Sequence, residues 1–179
     1  LYWFCSGRFS TSCDFSNLKT SVYLNECQSS SISSNTFYGG SSDSLGIYVN
    51  NGTSIDISEN TISSEYEYGI FIESGSDNSM ENNVITSVNN AIYNQSDNST
   101  IVANTIDDVA YGMYIGTATG NTIQNNNIDN SSYAIYCDDL RAQNSCSSFL
   151  TISKAVYRFL SPEGASNASA CNKIWLMYG

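Results

Sequence analysis

Residues 46–62 read Gly-Ile-Tyr-Val-Asn-Asn-Gly-Thr-Ser-Ile-Asp-Ile-Ser-Glu-Asn-Thr-Ile, and two phrases inside this stretch return along the whole chain. The second phrase, apolar-x-x-Asn-x-apolar, occurs at Ile32–Phe37, Ile57–Ile62, Met80–Ile85, Ile101–Ile106 and Ile123–Ile128. Its asparagines, Asn35, Asn60, Asn83, Asn104 and Asn126, lie 25, 23, 21 and 22 residues apart. The first phrase keeps time with it at Ser21–Leu24, Gly46–Val49, Gly69–Ile72, Asn90–Tyr93, Gly112–Ile115 and Tyr133–Tyr136. Two phrases locked at one period define a solenoid.

The period also suits a leucine-rich repeat, but the Leu-x-x-Leu-x-Leu spacing is absent. The segments are short, alternate with period two, favour Ile, Val, Tyr and Thr, and are separated by Ser, Asn, Asp and Gly, which is strand chemistry. At these residues the repeats resemble the right-handed parallel β-helix family, in the broad group of pectate-lyase-like and NosD-like repeat proteins. The resemblance covers residues 22–136 and a degenerate earlier coil over 1–15. It implies an all-β fold: a single-stranded right-handed parallel β-helix of about six to seven coils with a repeat of ~22 residues.

In such a coil the first and third apolar residues of each Ile-Tyr-Val phrase point inward and the middle one outward. The inward columns are then Val22, Ile47, Ile70, Ala91, Met113 and Ala134, and Leu24, Val49, Ile72, Tyr93, Ile115 and Tyr136. The outward column is Tyr23, Tyr48, Phe71, Ile92, Tyr114 and Ile135, a large apolar stripe roughly 25 Å long at ~4.8 Å per coil. The repeated asparagines are expected at a turn, stacked as a structural ladder.

The expected division is a β-helix over 1–146 with disulfide-pinned ends, and a C-terminal cap over 147–179. In the cap, Phe149, Ile152, Val156, Phe159 and Leu160 recur at helical spacing, Ser147 or Ser148 opens the helix, and Pro162 to Gly164 ends it. A second apolar run, Ile174 to Tyr178, follows a linker over 165–170. With Leu1 to Phe4 it makes both ends apolar, which on a polar rod favours head-to-tail self-association into a filament, the alternative being that each end tucks into its own terminal coil.

The net charge is −11, and between Thr20 and Leu140 there is no Lys, Arg or His, while 15 of the 17 acidic residues lie there. That balance excludes nucleic acid and anionic membrane surfaces as partners. No run approaches the roughly 18 apolar residues of a membrane span. Five sequons, at Asn51, Asn94, Asn98, Asn130 and Asn167, are acceptors for N-glycans on a glycosylating secretory route, and six cysteines point to the same extracellular or cell-surface compartment. Cys5, Cys13 and Cys27 cluster at one end, and Cys137, Cys146 and Cys171 at the other. Cys5 lies one period from Cys27, but Cys13 competes for it, and the pairing stays open. Zinc is not expected, since no Cys-x-x-Cys and no histidine is present.

The resemblance to polysaccharide lyases and hydrolases raises catalysis, but lyases of that group use Arg or Lys beside calcium-binding acids, and the central coils carry neither base. The related polygalacturonase-like hydrolases need several aspartates with nearby His, Arg and Lys; Asp107–Asp108 and Asp138–Asp139 are the suggestive pairs, and both read as solvated turns. Two acids would suffice for a carboxylate-only glycosidase, but the acids are scattered one or two per coil and no column converges. No catalytic residue, cofactor or metal is therefore expected. NosD-like proteins serve metal-centre maturation in the periplasm; with no His and three Met, copper handling is not supported here. An ice-binding face would need paired threonines, and only a broken column, Thr36, Thr61, Val84, Thr105 and Asn127, is present. The expectation is a non-enzymatic extracellular structural protein, a glycosylated subunit of a filament, appendage or coat; the alternatives are a carbohydrate-binding or adhesive module using the aromatic stripe and, ranked below it, a polysaccharide lyase or hydrolase.

Overall fold

Three parallel sheets wrap one apolar column. The computed structural model describes the backbone of residues 2–3, 6–137, 145–146 and 151–152, and the side chains of residues 12–136. The first sheet has seven strands, Tyr2–Trp3, Thr20–Asn25, Ser44–Asn50, Tyr66–Ile72, Asn90–Asn94, Val109–Ile115 and Ser131–Cys137, each hydrogen-bonded to the strand one repeat away. The second runs through Ser6–Thr11, Gln28–Ser33, Asp56–Ser58, Ser79–Glu81, Thr100–Val102, Thr122–Gln124 and Ser145–Cys146, and takes in the short Gly52–Thr53 and Gly75–Ser76. The third is Asp14–Ser16, Thr36–Tyr38, Thr61–Ser63, Val84–Thr86, Thr105–Asp107, Asn127–Ile128 and Thr151–Ile152. No helix occurs among the described residues. The expected all-β parallel solenoid is the observed one.

Each sheet sends one or two residue columns inward, as period-two alternation requires. The third sheet stacks Phe15, Phe37, Ile62, Ile85, Ile106 and Ile128, with the first two rings parallel at 4.9 Å. The second stacks Ile32, Ile57, Met80, Ile101 and Ile123, all buried. Like sits over like, so each side chain meets partners of its own shape above and below, and each buried aliphatic contributes about 1.5–3 kcal/mol of transfer free energy.

The corners are made by left-handed residues. Ser34, Glu59, Asn82, Ala103 and Asn125 have φ between 54° and 58°, and each immediately precedes a ladder asparagine. This conformation costs a non-glycine residue energy, more for Glu59 and Ala103 than for Asn or Ser. The asparagine that follows supplies the compensation. Each of Asn35, Asn60, Asn83 and Asn104 donates both its backbone N–H and its Nδ2 to the Oδ1 of the next asparagine at 2.9–3.2 Å. All five are buried, and the expected structural ladder is present. Its first step is a surprise: the backbone N–H of Cys13, preceded by left-handed Ser12, donates to Asn35 Oδ1 at 3.1 Å, so Cys13 holds the asparagine's place in the first coil.

The first sheet corrects the expected register in two coils. Its pairing runs Val22, Ile47, Ile70, Ile92, Met113, Ile135 in one column and Tyr23, Tyr48, Phe71, Tyr93, Tyr114, Tyr136 in the next. Ile92 and Ile135 are therefore buried, at 0% and 4% exposure, and do not belong to the outward stripe. Tyr93 and Tyr136, expected inside, are on the outside. Ala91 and Ala134 stand in the glycine column, not in the apolar one. The physical reason is close backbone approach: a Cβ on Gly69 would meet Ala91 O at 2.8 Å and one on Gly112 would meet Ala134 O at 2.5 Å, so only the smallest residues fit this column. The next inward place, Leu24, Val49 and Ile72 in earlier coils, falls in the fourth to Asn94.

Asn94 is itself fully buried, which removes it from the set of accessible glycan acceptors. Its Nδ2 donates to Ser96 O at 3.1 Å and to Asn121 Oδ1 at 3.4 Å, while Oδ1 accepts from Ser96 Oγ at 2.8 Å. These bonds offset the burial of a polar amide in the core.

The C-terminal helix is also corrected where the structure describes it. Ile152, assigned to the helix by its spacing, lies in the strand Thr151–Ile152, paired with Asn127–Ile128. Ser145–Cys146 likewise pairs with Thr122–Ile123, so the ladders run on past residue 146. Pairing with the preceding coil satisfies backbone groups that an open sheet edge leaves exposed. The rest of the expected cap, the apolar run from Ile174 to Tyr178 and the linker lie outside the described residues.

Candidate functional site: the tyrosine face

With the register corrected, the outward column of the first sheet is aromatic at every coil. Tyr2 holds the same register position opposite Tyr23. A second column beside it carries Tyr68, Tyr111 and Tyr133, aligned with Leu45 and Asn90. Among the described side chains, from Tyr23 to Tyr136, nine rings thus share one sheet face.

The rings touch along the solenoid axis. Tyr23 stacks on Tyr48 at 4.7 Å and Tyr48 on Phe71 at 5.1 Å; farther along, Tyr93 stacks on Tyr114 at 4.3 Å and Tyr114 on Tyr136 at 4.8 Å. Tyr111 and Tyr133 stack at 4.8 Å. Between the third and fourth coils the stack turns: Tyr93 stands at 84° to Phe71 and at 89° to Tyr68. Parallel in-register strands ~4.8 Å apart place like rings at stacking distance without adjustment. All nine rings are partly exposed.

Polar groups rim this face at the corner after the sheet. Tyr23 OH donates to Asn25 Oδ1 at 3.2 Å, Tyr48 OH to Glu73 Oε2, and Gln95 Nε2 donates to Tyr93 OH at 3.0 Å. Asn50 Nδ2 donates to Asn25 Oδ1 at 2.8 Å, and Ser74 Oγ to Asn50 Oδ1 at 3.1 Å. Burial holds the Tyr48 phenol well above its ordinary pKa, helped by the hydrogen bond and charge of Glu73. Tyr68 is raised for the same first reason, with the charge of Glu67 adding to it. The face is therefore neutral phenols and rings bordered by amides and carboxylates. Such a surface stacks on apolar ring faces and hydrogen-bonds hydroxyls, and it holds no mixed acid-base set.

The other residues singled out from sequence fall elsewhere. Asp107 Oδ1 accepts from Asn130 Nδ2 at 2.7 Å, and Asp108, exposed on a left-handed corner, accepts from Ser87 Oγ at 3.0 Å; both wire a turn. Asp138–Asp139 lie outside the described residues. Asn51 and Asn98 are exposed on the corner side that follows the first sheet, and Asn130 is exposed on the opposite corner. Asn167 is outside the described residues, as are Cys5 and Cys171. Cys27 is buried and Cys13 exposed; Cys137 pairs with Ile115 and Cys146 with Ile123 in their ladders. The threonine column at Thr36, Thr61, Val84, Thr105 and Asn127 is in register and outward, and remains broken at Val84 and Asn127. Among the described residues no three His, Cys, Asp or Glu side chains converge. No described helix is long and apolar enough to cross a membrane.

The sequence signal that leads to the face was present but misaligned: an aromatic follows each member of the column Val22, Ile47, Ile70, Ile92, Met113 and Ile135 once Ala91 and Ala134 are counted with the glycines. The column at Tyr68, Tyr111 and Tyr133 has a sequence signal of its own: each tyrosine immediately precedes the small residue of the phrase, Gly69, Gly112 or Ala134.

A family model described as periplasmic copper-binding protein (NosD) matches residues 2–152. No curated protein and no solved structure matches this chain. Parallel in-register coils in the described residues of that span agree with the match, and the chain belongs to the NosD family of right-handed β-helix repeats.

Proposed function

We propose that this protein is a non-enzymatic extracytoplasmic β-helix scaffold that binds an extended polysaccharide along its tyrosine face. The observation that carries the reading is the unbroken aromatic register from Tyr23 to Tyr136, doubled by Tyr68, Tyr111 and Tyr133. Sugar rings pack their C–H faces on aromatics, and the rim of Asn25, Asn50, Glu73 and Gln95 offers hydrogen bonds to hydroxyls. A linear repeat of rings suits a linear polymer. The family's periplasmic description supports a place outside the cytoplasm.

Among the described residues the copper in that description finds no donor set. The chain has no histidine, and the thioethers of Met80 and Met113 are fully buried in aliphatic columns, between Ile57 and Ile101 and between Ile92 and Ile135. Copper needs convergent soft or imidazole donors. These residues do not fit it.

The test is a panel of neutral, acidic and amino-sugar polysaccharides in affinity electrophoresis, repeated with Tyr93→Ala/Tyr114→Ala. Saturable retardation by a glycan, weakened at least about tenfold in the variant, is expected, because a stacked aromatic contributes on the order of 1 kcal/mol or more. Retardation unchanged by the variant, or none across the panel, overturns the reading.

A glycosylated filament subunit joined through apolar ends is the second reading. Its support is the apolar character of Leu1 to Phe4 and Ile174 to Tyr178; against it, Tyr2–Trp3 pairs with Tyr23–Leu24 of the same chain, which tucks that strand onto its own first coil. Sedimentation of the glycosylated protein at rising concentration tests it: open-ended mass growth supports it, and a constant monomer overturns it.

A further inference from the structure

The electrostatics of the same face restrict which glycan it takes. Over residues 12–136 the chain carries one cationic side chain, Lys19, against 14 Asp and Glu. Lys19 is engaged with Asp43 at 3.6 Å, both of them exposed. Among the described side chains no other cation stands along the tyrosine columns. Carboxylates do: Glu73 is exposed and accepts from Tyr48, and Glu67 adjoins Tyr68. These two acids bracket in sequence the rings at which the stack turns from parallel to perpendicular, Tyr68 and Phe71 against Tyr93.

A polyuronate laid on this face would bring a carboxylate per sugar against described residues that, Lys19 apart, offer no counter-charge, and like charges at close range are destabilising. A neutral chain would be indifferent to the carboxylates. A chain with ammonium groups would gain twice, from Glu67 and Glu73 and from the electron-rich ring faces. We infer that the tyrosine face is built for a cationic amino-sugar polysaccharide, whose sugar faces lie on the rings of Tyr48, Phe71, Tyr93 and Tyr114 while its ammonium groups meet Glu67 and Glu73. This rests on the glycan-binding reading above and adds the charge class of the ligand.

The experiment is calorimetric titration of the whole chain with three hexamers of equal length, of glucosamine, N-acetylglucosamine and galacturonate. It is run at about pH 5.5, where amino-sugar amines are protonated and carboxylates ionised. The glucosamine hexamer is expected to bind tightest, to weaken as salt rises from about 50 to about 500 mM, and to lose about three- to tenfold in affinity in Glu67→Gln/Glu73→Gln. Equal, salt-insensitive binding of the glucosamine and N-acetylglucosamine hexamers overturns the charge assignment while leaving the tyrosine-face reading standing. Tighter binding of galacturonate also overturns it. If no hexamer binds, this inference falls, and the polysaccharide panel decides the broader reading by itself. Circular dichroism of the double variant separates lost affinity from lost fold.

Discussion

Asn83 Oδ1 receives both the backbone N–H of Asn60, at 3.0 Å, and its Nδ2, at 3.1 Å, and Asn83 passes both of its own donors on to Asn104 Oδ1 at 3.0 Å. The same Nδ2 also reaches Ile57 O at 2.9 Å, across the coil. One side chain thus joins three successive coils at a corner held in a left-handed conformation.

Asn83→Ala leaves the buried backbone N–H of Asn60 without its acceptor and removes the Nδ2 bonds to Asn104 Oδ1 and Ile57 O, while Asn60 Nδ2 keeps Ile32 O and Asn104 Oδ1 keeps the backbone N–H of residue 83. Because an unsatisfied buried polar group costs about 1–3 kcal/mol, the variant is expected to lose about 2–4 kcal/mol. Asn89→Ala, on an exposed residue of the same coil, is expected to stay within about 0.5 kcal/mol. Urea unfolding of both, followed by far-UV circular dichroism, checks the difference.

The corrected register is tested by neighbours. Ile92→Ala empties a fully buried site and is expected to cost about 2–4 kcal/mol. Tyr93→Ala removes a half-exposed ring stacked on Tyr114 and is expected to cost about 1–2 kcal/mol. The alternative register, with Tyr93 inside, requires the opposite order, so the ranking of the two urea midpoints decides.

Alkaline pH loosens the tyrosine face. The folded pKa values of Tyr48 and Tyr68 are raised, by burial first, then by Glu73 and Glu67 respectively. A raised pKa means that the folded state favours the neutral phenol, so this stability is fully present below the unfolded value of about 10 and is lost as pH rises through the higher folded value. Ultraviolet titration of phenolate should show late-ionising tyrosines, with Glu73→Gln bringing Tyr48 to a lower pH. Unchanged titration in that variant contradicts the Tyr48–Glu73 contact.

Glycan occupancy should follow exposure. In a glycosylating secretory host, the folded protein is expected to carry N-glycans among Asn51, Asn98 and Asn130 and none at Asn94, whose amide is enclosed by Ser96 and Asn121. Peptide mass spectrometry before and after enzymatic deglycosylation reads this directly. A glycan at Asn94 in folded material contradicts the buried register of the fourth coil.

By itself the sequence determined the solenoid, its period, its coil number and its asparagine ladder. Those follow from repetition, because a parallel in-register coil sets each residue over its counterpart one period away, so a recurring Asn or Ile stacks on itself whatever the details between. Tertiary structure decided what repetition left ambiguous. In the fourth and sixth coils the small residue of the phrase is Ala91 or Ala134, apolar enough to pass for a core position, and only the close approach of the neighbouring carbonyl shows that it stands where glycine does. Asn94 looks like an outward sequon until its bonds to Ser96 and Asn121 close around it. Ile152 has helical spacing with its neighbours, yet pairing with Ile128 prevails, since a parallel strand next to an existing sheet gains ladder hydrogen bonds that local periodicity cannot anticipate. A shift of one residue reverses every side chain of a strand, and so only the paired register put Tyr93 and Tyr136 in place of Ile92 and Ile135 and completed the aromatic face.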